Sequence, residues 1–420
     1  MRRFHLKEGI LPPDWCPRAV PPRRELQGTG VRVLPLRGYR YDEARPLVVA
    51  GQRVSAGEPL SEPCGLLSRV RLAPASGRIL AVENRRVGDA CLLPCAVLQV
   101  EQEDEQPLSA GLALSAQGLE NLDGIPLDHE LAILPAGAIL ILNAAETELG
   151  HWTLMARLEE LARGKALSCA LDLVLERARF QHLHLAHRAP QRKAAEALVA
   201  ALKPGISLTR IQLDNSHPGA HPRLLAERAT RLVNPSRTLD PTRLLASQAV
   251  LVLDLDRLLL LERRLTVGPA DHFLLSVSDL AGNGELVELP SGLPWQELFP
   301  EGPPSAAFAG GALDGKLLRD TDSPLCPPLR ALVTANPEEL PRLREDACNT
   351  CGRCLEACPR SLAPPRLVHL IEEQRLHEAR GMGLEHCLLC GVCSYVCPSH
   401  IHLGHSLRKG LQQLREVRHV

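Results

Sequence analysis

Two copies of one cysteine pattern constrain this chain more than any other feature of its 420 residues. The first copy runs Cys348-x-x-Cys351-x-x-Cys354-x-x-x-Cys358-Pro359, and the second runs Cys387-x-x-Cys390-x-x-Cys393-x-x-x-Cys397-Pro398. Three thiolates at this spacing wrap a tight loop around three iron corners of a cube, with Gly352 and Gly391 easing the turn. In two-cluster ferredoxins the fourth cysteine ligates the other cluster. The pattern therefore predicts two 4Fe-4S clusters, one on Cys348, Cys351, Cys354 and Cys397 and the other on Cys387, Cys390, Cys393 and Cys358. Structural zinc also uses C-x-x-C pairs in fours, but seldom a triple run ending in Cys-Pro. Leu388, Leu389, Val392 and Val396 are expected to form the dry shell of one cluster, and Leu355 and Leu362 that of the other.

The remaining cysteines, Cys16, Cys64, Cys91, Cys95, Cys169 and Cys326, are scattered, and Cys64, Cys91 and Cys95 read as buried thiols. So many cysteines with no apolar segment behind Met1-Arg2-Arg3 argue for metal chemistry in a cytoplasmic protein rather than a disulfide framework. No apolar run approaches the ~20 residues of a membrane-spanning helix, so the chain is expected to have no transmembrane segment of its own and to meet membranes through partners. A formal net charge of -1 with 3% aromatic residues removes the electrostatic and stacking grounds for binding nucleic acid.

A chain this long divides into several cores. The expected fold is multidomain, α/β plus α+β. Residues 1–30 form an N-terminal segment. Residues 31–105 carry short β runs such as Leu47-Val48-Val49 between glycine turns. The order Gly51-x-x-Val54-x-x-Gly57-x-x-Leu60, then Ala73-Pro74-x-x-Gly77-x-Ile79, resembles the lipoyl or barrel-sandwich fold. Ser61 to Leu72 holds no lysine to acylate, which makes this a structural module. Residues 106–258 alternate strands (Ala138 to Leu142, His182 to Ala186) with helices (Trp152 to Arg163, Ala194 to Leu202), which favours a parallel α/β sheet, the Rossmann-like domain that the family resemblance given below implies. His182, His184 and His187 recur through a strand pattern, and His182 and His184, flanking Leu183, read as its polar face rather than as metal ligands. Residues 259–330 form a compact α+β unit, with strands at Arg264 to Gly268 and Phe273 to Val277 and a short helix at Trp295 to Leu298. Residues 331–420 form the ferredoxin-type α domain, with a helix from Arg366 to Arg380 capped by Gly381 and a basic tail at Arg408, Lys409, Arg415 and Arg418.

With these modules in order, the chain resembles the C subunit of the Rnf (Rsx) ion-translocating electron-transport complex. The string Cys387-Leu388-Leu389-Cys390-Gly391-Val392-Cys393-Ser394-Tyr395-Val396-Cys397-Pro398-Ser399 is especially similar to that family. Asn143-Ala144-Ala145-Glu146-Thr147-Glu148 looks like the family's Asn-Gly-Ala-Glu-Cys-Glu segment, which implies that Glu146 and Glu148 mark what remains of a flavin and nucleotide region. Ser291-Gly292-Leu293-Pro294 is similar to the family's β-grasp (SLBB) domain.

The departure lies in the glycine-rich loop, Gly-Gly-Ala-Gly-Phe-Pro in the family and Gly118-Leu119-Glu120-Asn121-Leu122-Asp123-Gly124-Ile125-Pro126 here. A phosphate cradle needs free backbone N–H groups and no adjacent negative charge. Glu120 and Asp123 supply the wrong sign, so FMN is doubtful and NADH binding is expected to be weak or lost. The resemblance implies an electron-transfer subunit, peripheral on the cytoplasmic face of a membrane redox complex. Its partners would be the other subunits and a ferredoxin or similar carrier. Two alternatives are an FMN-dependent NADH dehydrogenase subunit feeding the clusters and a non-catalytic scaffold with structural clusters.

Overall fold

The computed structural model describes residues 20–28, 30–37, 44–65, 67–87, 91–102, 107–121, 123–164, 167–202, 208–240, 242–269, 272–313, 315–336 and 345–418. Strand β1 (Arg23–Glu25) precedes a first β unit made of β2 (Val31–Pro35), β3 (Ala44–Pro46), β4 (Arg53–Val54), β5 (Ser61–Pro63), β6 (Ser76–Val87) and β7 (Cys91–Gln102). These form an antiparallel sheet in the order β2-β7-β6-β4 and a separate β3-β5 pair. Leu34, Leu60, Ile79, Ala96 and Leu98 fill its core. Leu47-Val48-Val49 is not a strand: Val48 alone is buried, and Leu47 and Val49 are 47% and 67% exposed. Cys95 is buried and Cys64 exposed, which corrects the reading of Cys64 as a buried thiol. Cys16 and the side chain of Cys91 lie outside the described residues.

Helices α1 (Ala110–Ser115) and α2 (Leu127–Ala132) lead into a parallel α/β unit. Its strands β8 (Ala138–Asn143), β9 (Phe180–Arg188), β10 (Leu208–Leu213) and β11 (Val250–Asp254) lie in the order β10-β9-β8-β11, all parallel. Leu140 and Leu142 point to one face, packed by α3 (Thr153–Ala162), α4 (Ser168–Arg177), α5 (Arg192–Ala201) and α7 (Leu255–Thr266). Ile139 and Ile141 point to the other, covered by α6 (Pro222–Val233). Both faces are buried, which is why β8 reads as a continuous apolar run. Within β9, His184 is buried and stacked on His182 rather than lying on an exposed polar face.

A second β unit comprises β12 (His272–Asp279), β13 (Gly284–Pro290), β14 (Leu293–Pro294), β15 (Ala306–Ala309), β16 (Lys316–Leu318), β17 (Pro324–Leu325) and β18 (Ala331–Ala335). Its six-stranded sheet, β1-β13-β12-β18-β15-β16, recruits β1 from the N-terminal segment and β18 from beyond residue 330. The strand expected at Arg264 to Gly268 is instead the last turn of α7 and the residues after it. Leu255, Leu258, Leu259 and Leu261 recur at helical spacing, and the buried Arg264 guanidinium donates to carbonyls of Ala113, Ala116 and Gln117 at the end of α1.

The cysteine unit holds α8 (Arg353–Glu356), α9 (Pro364–Glu372), α10 (Leu376–Gly381), α11 (Val392–Tyr395) and α12 (Leu403–Arg418). The single helix expected from Arg366 to Arg380 is broken: Gln374 adopts φ 59°, and Gly381 lies inside α10 rather than capping it.

Candidate iron–sulfur site

The two cysteine motifs fold alike. Thr350 and Leu389, Gly352 and Gly391, and Ser361 and His400 occupy matching positions, and all six have positive φ. The short helix α8 matches α11, and the start of α9 matches the start of α12. The repeat in sequence is thus a repeat in backbone conformation, with the first two cysteines of each copy in the loop and the third inside the short helix that follows.

The fourth cysteine of each motif leaves its own loop for the other one. Cys358, Cys387, Cys390 and Cys393 line one cavity, closed by Leu362, Leu388, Leu389, Val392 and Leu407. Backbone N–H groups of Leu362 and Leu389 donate to the sulfurs of Cys358 and Cys387, each at 3.4 Å. On the other side, Cys354 has Cys397 and Cys351 as electrostatic neighbours. The Asp346 N–H donates to the Ser399 carbonyl at 3.0 Å, and the Ser399 hydroxyl donates to the Ala347 carbonyl at 3.1 Å, strapping the start of the first motif to the end of the second. Leu362 therefore sits on the Cys387 side and not on the side expected. Leu355 is 45% exposed and shields neither set.

Burial pushes the Cys387 thiol up to about 11 and the Cys393 thiol up to about 12. Such sulfurs stay protonated unless positive charge sits beside them, and iron supplies that charge. Among the described residues, no group of three or more His, Cys, Asp or Glu is placed to grip a single metal ion. A single zinc would draw its sulfurs to within about 4 Å of one another, whereas a cube spreads its ligands over separate iron corners. Four cysteines around a cavity with N–H groups on their sulfurs fit the cube. The two sets differ in exposure: Cys348 and Cys351 are exposed, while the other set is enclosed by apolar side chains and the α/β unit.

The enclosed set docks on the loop after β10 and on α6. The His217 ring nitrogen Nε2 bonds the Cys390 carbonyl at 2.8 Å, Arg223 donates to the Glu385 carbonyl, and Arg360 pairs with Glu227 at 2.5 Å. A Cβ at Gly391 would lie 2.6 Å from the Leu313 carbonyl oxygen, whereas one at Gly352 would meet nothing. The matching glycines allow a controlled comparison. Gly352→Ala is expected to cost only the roughly 1–2 kcal/mol of a left-handed alanine. Gly391→Ala adds a backbone clash and is expected to loosen the docked unit, read as faster proteolytic cleavage between the second β unit and the cysteine unit. Equal cleavage in the two variants would refute this.

Upstream, strand order reverses between β8 and β11, which opens a crevice at the carboxyl ends Asn143 and Asp254, the usual ligand position in such sheets. Here the protein's own side chains fill it. Asp254 accepts from Asn143 at 2.7 Å and from Arg330 at 2.8 Å, and Arg330 also reaches the Thr147 hydroxyl. Glu146 accepts the backbone N–H groups of Leu154 and Met155 at the N-terminus of α3, where an anion would otherwise sit. Glu148 lies against Gly311 and is an electrostatic neighbour of Cys390. In the glycine loop, the Glu120 carboxylate accepts the Gly118 N–H at 2.8 Å. The Asn121 side-chain oxygen accepts those of Asp123 and Ile125. The loop's donors are thus turned onto its own side chains. A cavity of about 320 Å³ remains between this loop, α7 and β12. His217, Arg330 and Arg257, which donates to the Leu119 carbonyl, carry no sequence signal, because single buried polar residues have no spacing to mark them.

Burial pushes the Glu146 carboxyl up from 4.5 to about 7. Between those values the folded state holds a proton that the unfolded state has released, so stability falls as pH rises across this window. Glu146→Gln keeps an acceptor oxygen for α3 and abolishes the titration. Its melting temperature is expected to decline less than that of the wild type over the same pH range, and an unchanged slope in differential scanning fluorimetry would refute this.

Comparison with known proteins places these features. Residues 330–399 match the 4Fe-4S dicluster domain. The C subunit of the ion-translocating oxidoreductase complex of Pseudomonas aeruginosa is 27% identical over 80% of this chain and 46% of its own length. The C subunit of the Na(+)-translocating ferredoxin:NAD(+) oxidoreductase complex of Acetobacterium woodii is 23% identical over 79% of both chains. The C subunit from Rhodobacter capsulatus is 24% identical over 84% of this chain and 72% of its own. This chain thus spans about half the length of the Pseudomonas relative and most of the other two. A chain of the NAD+-reducing [NiFe]-hydrogenase aligns over 73% of this chain and 60% of its own, at 15% identity and a TM-score of 0.45. Among the described residues, no helix is long and apolar enough to cross a membrane. Residues 330–399 thus carry a 4Fe-4S dicluster domain, and the chain is similar over about four-fifths of its length to C subunits of ion-translocating oxidoreductase complexes.

Proposed function

We propose that this protein relays single electrons through two 4Fe-4S clusters as a peripheral subunit of an Rnf-type membrane redox complex. The observation that carries this reading is the convergence of Cys358 with Cys387, Cys390 and Cys393 around one cavity, with Cys354 beside Cys397 on the other side. When bound, the clusters supply reversible one-electron storage. The chain's own residues supply the spacing between the two sets and the apolar enclosure of one of them. The exposed Cys348 and Cys351 give that set access to a soluble carrier such as a ferredoxin. The enclosed set faces the α/β unit. Within this reading the first β unit is lipoyl-like, the parallel unit Rossmann-like and the second β unit a β-grasp module. The complex's other subunits hold the protein at the cytoplasmic face.

Electrons reach this chain from another protein rather than from NADH bound to it. Glu120 and Asn121 occupy the loop donors that would cradle a phosphate, and Glu146 occupies the N-terminus of α3. Those contacts weigh against the dehydrogenase reading, in which Glu146 and Glu148 would flank a flavin.

The test is anaerobic purification with iron, sulfide and flavin quantified together, followed by absorption spectra before and after NADH and then dithionite. Iron for two clusters, no flavin and bleaching by dithionite alone are expected. Bound FMN with bleaching by NADH would restore the dehydrogenase. Clusters that do not cycle reversibly would leave a scaffold.

A further inference from the structure

The only ring nitrogen bonded to a cysteine motif comes from outside the cysteine unit, among the described residues. His217 is 1% exposed, and its Nε2 lies 2.8 Å from the Cys390 carbonyl oxygen. A carbonyl oxygen only accepts, so Nε2 carries the proton and donates.

His217 is held firmly. Ser216 donates to Asp214 through its hydroxyl and its N–H, at 2.5 and 3.2 Å. Arg188 donates to the carbonyls of Asp214, Ser216 and Glu146, which ties the loop after β10 to the loop after β8. The imidazole is therefore a fixed dipole carried on the carboxyl edge of the parallel sheet. Its positive end points at the peptide that follows a cluster thiolate. Hydrogen bonds and fixed dipoles around a cluster tune its potential, and a positive dipole end favours the more negative, reduced state.

We infer that His217 is a positioning residue that holds the Cys390 peptide and raises the potential of the cluster on Cys358, Cys387, Cys390 and Cys393. This rests on the relay reading above. It adds that the α/β unit has kept a role in electron transfer after its cofactor loop was filled from within: it sets the potential of the enclosed cluster relative to the exposed one.

The full-length protein would be purified anaerobically as wild type, His217→Phe and His217→Gln, with iron and sulfide counted and both clusters titrated by EPR. Phenylalanine keeps bulk without a donor, and glutamine returns an N–H at similar reach. In His217→Phe one cluster is expected to shift to more negative potential while the other stays at its wild-type value, and His217→Gln should restore the first. An unchanged potential in His217→Phe, an equal shift of both clusters, or a His217→Gln protein that matches His217→Phe would each overturn the inference. If His217→Phe loads only one cluster, His217→Gln must load both, and its failure to do so overturns the inference too. Wild-type protein without iron would sink the relay reading itself, whereas iron-loaded wild type with an insensitive potential sinks this inference alone.

Discussion

Cys358→Ser is expected to abolish the same cluster as Cys387→Ser, although the two residues belong to different motifs. Cys358 lines the cavity with Cys387, Cys390 and Cys393, and the N–H of Leu362 bonds its sulfur. Cys397→Ser should instead remove the cluster that Cys351→Ser removes, since Cys354 has Cys397 and Cys351 as neighbours. Each variant should lose half the iron, with one of two EPR signals surviving. The signal missing in Cys358→Ser should match that missing in Cys387→Ser and differ from that missing in Cys397→Ser. If Cys358→Ser and Cys351→Ser lose the same signal, each motif fills its own cluster and the exchange is wrong. Reduction by a soluble carrier is expected to survive in Cys358→Ser, because the exposed set remains, and to fail in Cys351→Ser.

The second large effect concerns Arg330. Its guanidinium bonds Asp254 at 2.8 Å with both side chains about nine-tenths buried, and Glu146 and Asp256 stand in its field. Arg330→Met strips the buried Asp254 carboxylate of its counter-charge and leaves it only the Asn143 amide as a donor in the crevice between the α/β and second β units. Removing one partner of a buried pair costs about 3–5 kcal/mol. At a urea slope of roughly 1–3 kcal/mol/M, the unfolding midpoint should drop by more than about 1 M. Adding Asp254→Asn to the same chain should recover most of that loss, because the group that Arg330 bonded directly is then neutral. A midpoint within a few tenths molar of wild type in the single variant would show that the crevice is wet and the pair unimportant.

How much of this is legible in the sequence follows from the range of the forces involved. Strands β8, β9 and β12 and helices α3 and α5 are readable because burial on one or two faces writes a period into neighbouring residues. Arg264 to Gly268 misleads because a short apolar-polar alternation suits either a strand or the last turn of a helix. The arginine's partners, carbonyls at the end of α1, lie more than a hundred residues away. Leu355 misleads for a related reason: spacing places it beside a cluster cysteine, but only packing decides whether another element covers it.

The cysteine motifs were determined by sequence alone, since the geometry of a cube demands that spacing and the glycines that permit it. The presence of Glu120 in the glycine loop was equally plain, and so was its sign. Only the tertiary structure decided what that carboxylate does: it bends back onto the Gly118 N–H and closes the turn on itself. It also decided which cysteine set is enclosed, and that His217, Arg223 and Leu313 meet it. Those contacts join residues far apart in the chain, and the energy of a long-range contact depends on where folding brings its two ends, which no local pattern records.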